Sequence, residues 1–192
     1  MILPPVARVF FAIDLSDDTK HALAIYLDSL KLRSKTDKIR WTRPENLHIT
    51  LQFLAEVRGE DVPEMLRHVQ KALTAATSPV NLSFKSLHLF PDPHRPRVLV
   101  LDVSQQESLA EWSALVGKGI QDAGYDIEDR PFRAHLSIGR IKTSQMKVLN
   151  FIADVMPPAM GEIAVNEVVL FQSEPQADGS RYVPLERIAL GA

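Results

Sequence analysis

Cysteine is absent from the 192 residues of the chain. This absence excludes disulfide bonds, thiolate metal sites and cysteine nucleophiles together. A chain without cysteine fits a reducing compartment, so we expect a cytoplasmic protein. The first residues, Met-Ile-Leu-Pro-Pro, lack the basic start and long apolar run of a signal peptide, and no stretch of 18 apolar residues predicts a membrane span. We therefore expect no membrane partner.

Basic residues are not in excess either, since 22 Lys and Arg against 24 Asp and Glu give a net charge of −2. Avid binding along a nucleic-acid backbone requires a strongly basic surface, which this composition disfavours. A small anionic substrate, or the end of an RNA, requires only a local cluster of arginines. The composition therefore leaves small cyclic nucleotides and RNA ends as candidate partners.

Several short catalytic motifs are also missing from the chain. There is no glycine-rich phosphate loop, no Gly-x-Ser-x-Gly nucleophile elbow and no His-Glu-x-x-His zinc motif. A zinc site formed by His88, His94 and His135 remains a metal-dependent alternative, although its ligands would lie far apart in sequence. His88 falls on a predicted strand and is the one further histidine that would approach a site formed by strands.

What the chain does contain is an internal repeat. Residues 43–51 read Arg-Pro-Glu-Asn-Leu-His-Ile-Thr-Leu, and residues 130–138 read Arg-Pro-Phe-Arg-Ala-His-Leu-Ser-Ile. Both copies therefore place Arg-Pro before a histidine, which is followed by an apolar residue, a hydroxyl residue and an aliphatic residue. A single copy would be unremarkable, because histidines on strands are usually packed or surface residues and Arg-Pro commonly marks a turn.

The repeat extends upstream of the two histidines. Asp14 precedes His48 by 34 positions, and Asp102 precedes His135 by 33 positions. Each Asp begins an Asp-x-Ser segment, which alone would indicate a helix cap. Recurrence of the whole pattern at nearly constant spacing predicts a duplicated unit that brings two histidines to face each other.

Hydrophobic periodicity predicts alternating strands and helices along the whole chain. Strands are expected over 6–13, 39–41, 47–54, 81–90, 97–103, 134–141, 162–172 and 181–190, with the last two forming a hairpin around Asp178-Gly179. Helices are expected after Ser16, over about 60–77, after Ser104 in a capping box with Glu107, and from Ser144 to about 155. The absence of a strict βαβ rhythm favours an α+β fold with largely antiparallel sheets. No linker divides the chain, so we predict one domain over residues 1–192, made of two similar interwoven lobes.

The first motif strand, residues 47–54, alternates between apolar and polar residues. Side chains alternate between the two faces of a strand, so His48, Thr50 and Gln52 are expected on one face. Phe53 is expected on the opposite face with the aliphatic residues. The second motif strand places His135 and its hydroxyl residue on one face in the same way.

Two facing imidazoles can act as general base and general acid near neutral pH, and each contributes roughly 10²–10⁴ in rate. That pair is suited to adding water to a phosphodiester and expelling an alkoxide, without a metal. His48 and His135 are the candidate catalytic residues. The hydroxyls of Thr50 and Ser137 and the guanidinium of Arg140 would bind the non-bridging phosphate oxygens.

With these residues the chain resembles the 2H phosphoesterase superfamily, which is defined by two His-x-[Thr/Ser] motifs. Within that superfamily it is similar to the bacterial and archaeal RNA 2′,3′-cyclic phosphodiesterases, also called 2′-5′ RNA ligases. The resemblance covers nearly the whole length and includes residues 10–14, 45–54, 97–98, 130–140 and 181–185. It implies a bilobal, pseudo-duplicated α+β fold in which two antiparallel sheets line a central cleft, with the helices outside.

The same resemblance implies hydrolysis of an RNA 2′,3′-cyclic phosphate to a 2′-phosphomonoester, with no metal or nucleotide cofactor. It also implies a reversible, ATP-independent 2′-5′ ligation as a side reaction, and we expect a monomer. By position, His48 would protonate the departing 3′-oxygen and His135 would activate water. Thr50, Ser137 and Arg140 would hold the phosphate.

The chain departs from the pattern of this family at two positions. Ser137 replaces the usual Thr, which keeps the hydroxyl but removes the methyl group that fixes its rotamer. Gly139 replaces a larger aliphatic residue, which predicts a looser or bulged strand end before Arg140. An aromatic platform is expected for an RNA base, and Trp41 and Phe132 are the candidates for base stacking.

Two other functions remain open from the sequence. One is a non-catalytic module that binds RNA ends or nucleotides, although binding alone does not require two histidines that titrate near neutrality. The other keeps the two-histidine chemistry with a different substrate, such as ADP-ribose cyclic phosphate, a 2′-5′ oligonucleotide or an acyl phosphoester.

Overall fold

A computed structural model describes residues 3–75, 79–92, 94–129, 131–142, 151–152, 154–177 and 179–191. Its strands are β1 (Val6–Asp14), β2 (Ile39–Trp41), β3 (His48–Arg58), β4 (Val80–Leu82), β5 (Phe84–Phe90), β6 (Val98–Val103), β7 (His135–Ile141), β8 (Ile163–Val165), β9 (Glu167–Gln176) and β10 (Gly179–Ala189). Its helices are α1 (Asp17–Ser34), α2 (Val62–Leu73) and α3 (Gln106–Asp122), with single 3-10 turns at Pro44–Asn46 and Gly59–Asp61.

The strands form two four-stranded antiparallel sheets and one small ribbon. The first sheet has the order β10-β9-β1-β3, the second has the order β2-β7-β6-β5, and β4 pairs with β8. Each four-stranded sheet carries one of the two motif strands, β3 or β7. The predicted α+β class with antiparallel sheets is therefore confirmed.

The register of the strands explains the repeat in the sequence. Asp14 on β1 lies directly opposite His48 on β3, and Asp102 on β6 lies directly opposite His135 on β7. The two near-equal spacings therefore measure the same path in each lobe, from one strand through a helix to its antiparallel neighbour. The predicted duplication is confirmed by this register.

One apolar core joins the inner faces of the two sheets to the helices. Helix α1 begins after Ser16, as predicted, and the Ser16 hydroxyl accepts a hydrogen bond from the amide of Thr19. Its side chains Leu23, Leu27 and Leu30 recur at helical spacing and are buried. The helices thus cover the faces of the sheets that are turned away from the histidines.

A second, smaller apolar cluster lies on the other face of the first sheet. It consists of Phe10, Ala12, Val169 and Phe171, with Tyr182 packed against it. Neighbouring residues Val9, Phe11 and Ile13 belong to the main core, as the alternation along β1 requires. The first sheet therefore presents an aromatic surface on the side where His48 lies.

Two predicted elements differ from the structure in their bounds. The strand predicted over 81–90 is divided into β4 and β5, because β4 leaves the second sheet to pair with β8. The third helix begins at Gln106 without a capping box, because the Ser104 hydroxyl instead accepts a hydrogen bond from the amide of Ser83. That bond ties the start of α3 to the junction between β4 and β5.

Other predictions fall partly outside the described residues. The second helix begins at Val62, two residues later than predicted, and its predicted end extends into residues 76–78, which are not described. Most of the helix predicted from Ser144 also lies outside the described residues. The C-terminal hairpin is present as β9 and β10, although Asp178 of its turn is not described. Within the described ranges, none of the helices combines the length and the apolar character that a membrane crossing requires.

Candidate active site

The imidazole of His48 is held at the start of β3 by a backbone carbonyl. Its Nδ1 lies 2.7 Å from the carbonyl oxygen of Asn46, in the 3-10 turn that precedes the strand. A carbonyl can only accept, so Nδ1 carries the proton and donates it. In the neutral ring Nε2 is then the acceptor, and it lies 3.0 Å from the hydroxyl of Thr50. The turn itself is fixed because the Asn46 side chain donates to the carbonyl of Ser180 on β10.

Aromatic rings surround His48 on the cleft face of the first sheet. The ring centroids of Phe10 and Tyr182 lie 4.8 and 5.1 Å from that of the imidazole, and Phe171 follows at 6.3 Å. Burial in this setting lowers the pKa of His48 from its usual 6.5 to about 4, because it disfavours the charged ring. The Asn46 carbonyl and the charge of Asp14 act in the opposite direction but do not outweigh burial. His48 is therefore neutral at pH 7 in the unliganded protein.

His135 at the start of β7 is held in the same manner. Its Nδ1 lies 2.8 Å from the carbonyl oxygen of Arg133, two residues earlier, as Asn46 is to His48. Its ring stacks on Phe90 with centroids 4.8 Å apart and planes at 27°. Both histidines thus donate from Nδ1 to a carbonyl two residues earlier, and both lie against a phenylalanine.

The two aspartates opposite the histidines are both engaged by cations. Asp14 accepts from Lys20 Nζ at 2.6 Å and from Arg187 Nη2 at 2.9 Å, and also from the amide of Leu15. The carboxylate side chain is largely shielded from solvent. Asp14 therefore acts as a fixed, neutralised anchor at the end of β1.

Asp102 has the corresponding position in the second lobe. Arg133 donates from Nη2 to both carboxylate oxygens at 2.9 and 3.0 Å, and Nε2 of His88 lies 2.8 Å from Oδ2. Arg133 thus anchors its side chain on Asp102 while its carbonyl holds His135. The structure places His88 against the aspartate that pairs with His135, and not in the lining of either cavity described below.

A bulge in β3 changes the faces of the residues after Thr50. Phe11 lies opposite Gln52, but the next residue of β1, Ala12, lies opposite Thr50, so one residue of β3 is extra. The Gln52 side chain therefore turns to the helix side, where it donates to the carbonyl and the hydroxyl of Ser113 at 3.1 Å. The prediction that Gln52 shares the face of His48, with Phe53 on the opposite face, is wrong.

Phe53 instead lies on the cleft face. It pairs with Phe10, which shares a strand face with Ala12 and Asp14, the residues opposite Thr50 and His48. Its side chain is 41% exposed, and its ring centroid is 6.5 Å from that of Phe10. A large exposed aromatic therefore borders the cleft at a position that alternation had assigned to the core.

The same bulge occurs in β7 and brings Arg140 to the site. Leu99 lies opposite Gly139 and Val100 opposite Ser137, so Ile138 is the extra residue. Without the bulge, Arg140 would lie on the opposite face from His135, five positions earlier. With it, His135, Ser137 and Arg140 share one face, and the expected irregularity at Gly139 is confirmed. A Cβ at Gly139 would lie 2.7 Å from Ile39 Cγ2, so the absence of a side chain also lets β2 approach.

Two cavities adjoin the histidines. One, of about 140 Å³, is lined from the first sheet by Thr50 and Phe53, and from the second lobe by Phe90, Phe132 and His135, among others. It therefore lies between the two motif strands, and the charge of His135 lowers the pKa of His48 across the cleft. The candidate stacking residue Phe132 lies here.

The other cavity, of about 320 Å³, is bordered by Asn46 and Tyr182, which contact His48. It is lined by Trp41, Tyr182 and Arg140 together with three further arginines, Arg8, Arg40 and Arg43. The second candidate stacking residue, Trp41, is thus in a different cavity from Phe132. No motif indicated Arg8 or Arg40, because they are single arginines on separate strands that only the fold brings together.

The proposed zinc alternative finds no support in the geometry. Within the described residues, no three His, Asp or Glu side chains are arranged to hold a metal ion. His88 is bound to Asp102, and the His94 backbone amide donates to Asp92 in the loop before β6. Of the three suggested ligands, only His135 lines a cavity of the cleft.

Comparison with known proteins places this geometry in a family. A family model described as LigT like Phosphoesterase matches residues 13–100. The RNA 2′,3′-cyclic phosphodiesterase of Archaeoglobus fulgidus is 32% identical over 167 residues, which cover 86% of this chain and 90% of that relative. The RNA 2′,3′-cyclic phosphodiesterase of Aquifex aeolicus is 31% identical over 159 residues, covering 79% and 82%.

Solved structures share the fold. The crystal structure of E. coli LigT complexed with 3′-AMP has a TM-score of 0.77 at 24% identity and covers 97% of this chain and 99% of that one. A crystal structure from Thermus thermophilus has a TM-score of 0.76 at 25% identity, covering 96% and 98%. The bilobal fold with a central cleft is therefore confirmed, and the chain belongs to the RNA 2′,3′-cyclic phosphodiesterase family of LigT-like enzymes in the 2H phosphoesterase superfamily.

Proposed function

We propose that this enzyme hydrolyses RNA 2′,3′-cyclic phosphodiester ends to 2′-phosphomonoesters, with His48 and His135 as a general acid–base pair. The observation that carries the proposal is the duplicated register, in which each histidine faces an aspartate and donates from Nδ1 to a carbonyl. This arrangement directs both Nε2 atoms away from the backbone, where a substrate can meet them. Relatives named RNA 2′,3′-cyclic phosphodiesterase support the choice of substrate.

The reaction assigns one step to each histidine. His135 accepts a proton from water through Nε2 as the water oxygen bonds to phosphorus. The bond from phosphorus to the 3′-oxygen breaks, and His48 gives that oxygen a proton. The product keeps its phosphate on the 2′-oxygen. The hydroxyls of Thr50 and Ser137 and the guanidinium of Arg140 hold the phosphate oxygens as charge accumulates on them.

The low pKa of His48 sets a condition on its role as the acid. A ring that is neutral at pH 7 gains its proton when an anionic phosphate enters the cleft, because a nearby negative charge favours the imidazolium. We therefore expect the pKa of His48 to rise when 2′-AMP, a 2′-phosphomonoester, is bound. Titration of the His48 ring by NMR with and without 2′-AMP measures this shift. A pKa that stays near 4 in the complex would show that His48 is not the acid, and the acid and base roles of the two histidines would have to be exchanged.

The proposed reaction is tested with an RNA oligonucleotide that ends in a 2′,3′-cyclic phosphate, in excess EDTA. His48→Ala and His135→Ala should each lower kcat by roughly 10²–10⁴, since each removes one proton-transfer group. His94→Ala changes an exposed loop histidine and serves as the matched control. Chromatography that separates 2′- from 3′-phosphate products identifies which bond has broken.

Three results would oppose this mechanism in different ways. Full activity in either histidine variant would remove that residue from the reaction. Binding of the oligonucleotide without turnover by the unmodified protein would favour the non-catalytic binding module. Loss of turnover in EDTA alone would favour a metal-dependent reaction.

Reversible 2′-5′ ligation without ATP is part of the same proposal. In the ligation the 5′-hydroxyl of a second RNA takes the place of water as the nucleophile, with the same proton transfers. By microscopic reversibility the same two histidines, with their acid and base roles exchanged, cleave the 2′-5′ bond again. E. coli LigT, which shares the fold, has been crystallised with ATP and with NADP+, so other nucleotides such as ADP-ribose cyclic phosphate and 2′-5′ oligonucleotides belong in the substrate panel. Comparing kcat/KM across that panel ranks them against the RNA end.

A further inference from the structure

The cavity beside Tyr182 is unusually basic for a protein with a net charge of −2. Arg8 comes from β1, Arg40 from β2, Arg140 from β7, and Arg43 from the segment before β3. Among the residues that line it, all of them in the described part of the chain, there is no Asp or Glu. The cavity therefore concentrates positive charge from both sheets at one place.

Two of these arginines are forced together by strand pairing. Arg40 and Arg140 are directly opposite each other in the β2–β7 ladder, and both are exposed. Like charges at directly opposed positions destabilise an antiparallel pair. Within the described ranges, none of the ion pairs includes Arg8, Arg40 or Arg140. An anion between these side chains would relieve the repulsion.

The carboxylates nearest the histidines do not supply this anion. Asp14 is paired with Lys20 and Arg187, and Asp102 is paired with Arg133 and His88. The charges of Arg8, Arg40 and Arg140 thus remain available to a ligand.

The cavity also shares lining residues with the surroundings of His48. Tyr182 and Asn46 line it, and both contact His48, through the ring and through the Nδ1 hydrogen bond. Arg140 lines it as well, on the same face as His135 and Ser137. A substrate held at the histidines by one phosphate can therefore place its next phosphate among the arginines.

We propose that this basic cavity binds the phosphodiester that joins the terminal nucleotide to the preceding one. The proposal rests on the proposed function, because it assumes a cyclic phosphate at the histidines. The bidentate geometry and permanent charge of arginine suit a phosphodiester, and Trp41 offers an aromatic face in the same cavity for the preceding base. The enzyme is thereby adapted to the end of an RNA strand rather than to a cyclic mononucleotide.

The test compares kcat/KM for adenosine 2′,3′-cyclic monophosphate with that for the dinucleotide ApA bearing a 2′,3′-cyclic phosphate. For the unmodified protein we expect the ratio of dinucleotide to mononucleotide to exceed about 10. In the double variant Arg8→Gln/Arg40→Gln this ratio falls at least about fivefold. The control Arg33→Gln/Arg67→Gln removes the same charge from α1 and α2 and leaves the ratio within twofold.

A neutral linkage isolates the contact itself. With the unmodified protein, a dinucleotide whose two nucleosides are joined by a methylphosphonate should lose its advantage in kcat/KM over the cyclic mononucleotide. The arginine double variant should lower kcat/KM for this neutral dinucleotide little further. Raising the salt concentration should weaken dinucleotide binding more steeply than mononucleotide binding, by about 0.7 in log–log slope for the one extra phosphate. Equal slopes for the two substrates would oppose the proposal.

Several results would overturn the inference without touching the proposed function. These are a ratio near one in the unmodified protein, a ratio that does not change in the double variant, or an equal fall in the control. Absence of turnover for both cyclic substrates would instead contradict the proposed function. Thermal unfolding gives a separate check, because Arg40→Gln relieves the like-charge pair and should hold or raise Tm, and a marked fall in Tm would contradict the repulsion argument.

Discussion

His48 shows how a single residue couples folding to pH. Its pKa is about 4 in the folded protein because burial among aromatic rings disfavours the imidazolium, whereas an unfolded histidine titrates near 6.5. Between these values the unfolded chain binds a proton that the folded protein does not. The free energy of unfolding must therefore fall as the pH is lowered through this window.

Because of His48 alone, the free energy of unfolding should fall by roughly 1.4 kcal/mol for each unit by which its pKa is shifted. The fall between pH 7 and pH 4 is therefore up to about 3 kcal/mol. Urea unfolding at pH 7 and pH 4.5 measures it. His48→Gln removes the titrating ring, so the variant should lose less stability over this interval than the unmodified protein. Equal losses in both proteins would show that His48 is not protonated differently in the two states.

Asp102 is a second single residue with a testable effect. It fixes the position of His135 through Arg133, rather than changing the charge of the imidazole. It holds the guanidinium of Arg133 through both oxygens, and the carbonyl of Arg133 holds His135. We expect Asp102→Asn to lower kcat roughly 10- to 100-fold with a smaller change in KM, because a misplaced base loses rate more than binding. Steady-state kinetics with the cyclic-phosphate RNA measures both constants.

Asp122→Asn is the matched control for this substitution, since Asp122 forms an exposed ion pair with Lys118 on α3. It should leave kcat unchanged. Thermal unfolding of both variants separates positioning from stability: if the fall in kcat for Asp102→Asn disappears at temperatures where the variant is fully folded, the positioning role is wrong.

At the scale of elements, the paired bulges organise the cleft. Each follows the hydroxyl residue of its motif, so Phe53 in β3 occupies the place that Arg140 has in β7. The duplicated lobes therefore present different side chains at equivalent positions, an aromatic in one and a cation in the other. Phe53 accordingly lines the cavity rich in aromatic residues, and Arg140 lines the basic one.

Beyond these bulges, the alternation of polar and apolar residues no longer predicts which face of the strand a side chain occupies. Alternation correctly placed His48 and Thr50 because both precede the extra residue of β3. It failed at Gln52 and Phe53, because one inserted residue moves every later side chain of the strand to the opposite face. The amino-acid composition of the strand does not indicate such an insertion. Arg140 was predicted as a phosphate ligand from its position five residues after His135, and the family resemblance implied the same role. The bulge gives the reason that it shares a strand face with His135.

The aromatic and basic surroundings were beyond prediction for a different reason. The repeat identified the histidines because spacing survives in a linear sequence. The packing of Phe10 against His48, or the meeting of Arg8 with Arg40, depends on which strands become neighbours. Sheet order is a tertiary outcome that local periodicity does not encode.

Helices α2 and α3 pack closely at Gly119, and this contact can be tested by substitution. A Cβ at Gly119 of α3 would lie 2.5 Å from the Cα and 2.7 Å from the N of Val69 on α2. Gly119→Ala should force the helices apart and lower the free energy of unfolding by about 1–3 kcal/mol, despite the better helix propensity of alanine. Gly161→Ala, where nothing lies within 4 Å of the added atom, should change it by less than about 0.5 kcal/mol. Urea unfolding compares the two, and equal stabilities would contradict the close approach.

The two lobes of the whole molecule exchange strands. β2 comes from the first half of the chain but joins β7 in the second sheet, while β9 and β10 return from the second half to complete the sheet of β1 and β3. This exchange supports our proposal that residues 1–192 form one domain of two interwoven lobes. Neither sheet is complete without strands from the other half of the sequence.

The same topology supports our proposal that the enzyme acts as a monomer. His48 and His135 adjoin one cleft of one chain, and the cavity between them takes residues from both sheets. We therefore expect that mixing His48→Ala with His135→Ala restores no activity, because every chain in the mixture lacks one of the two groups. Light scattering after size-exclusion chromatography should give the 21.5 kDa of a single chain.

The mixing experiment is informative because it responds to a shared site even when the association is weak. Activity that rises with the square of total protein concentration would show that the two histidines come from different copies. Refolding the two variants together from urea provides the matched arm: the β9–β10 hairpin carries neither histidine, so its exchange between chains should still restore no activity. Activity that appears only after joint refolding would show that a larger part of the chain, carrying His48 on β3 or His135 on β7, exchanges between molecules.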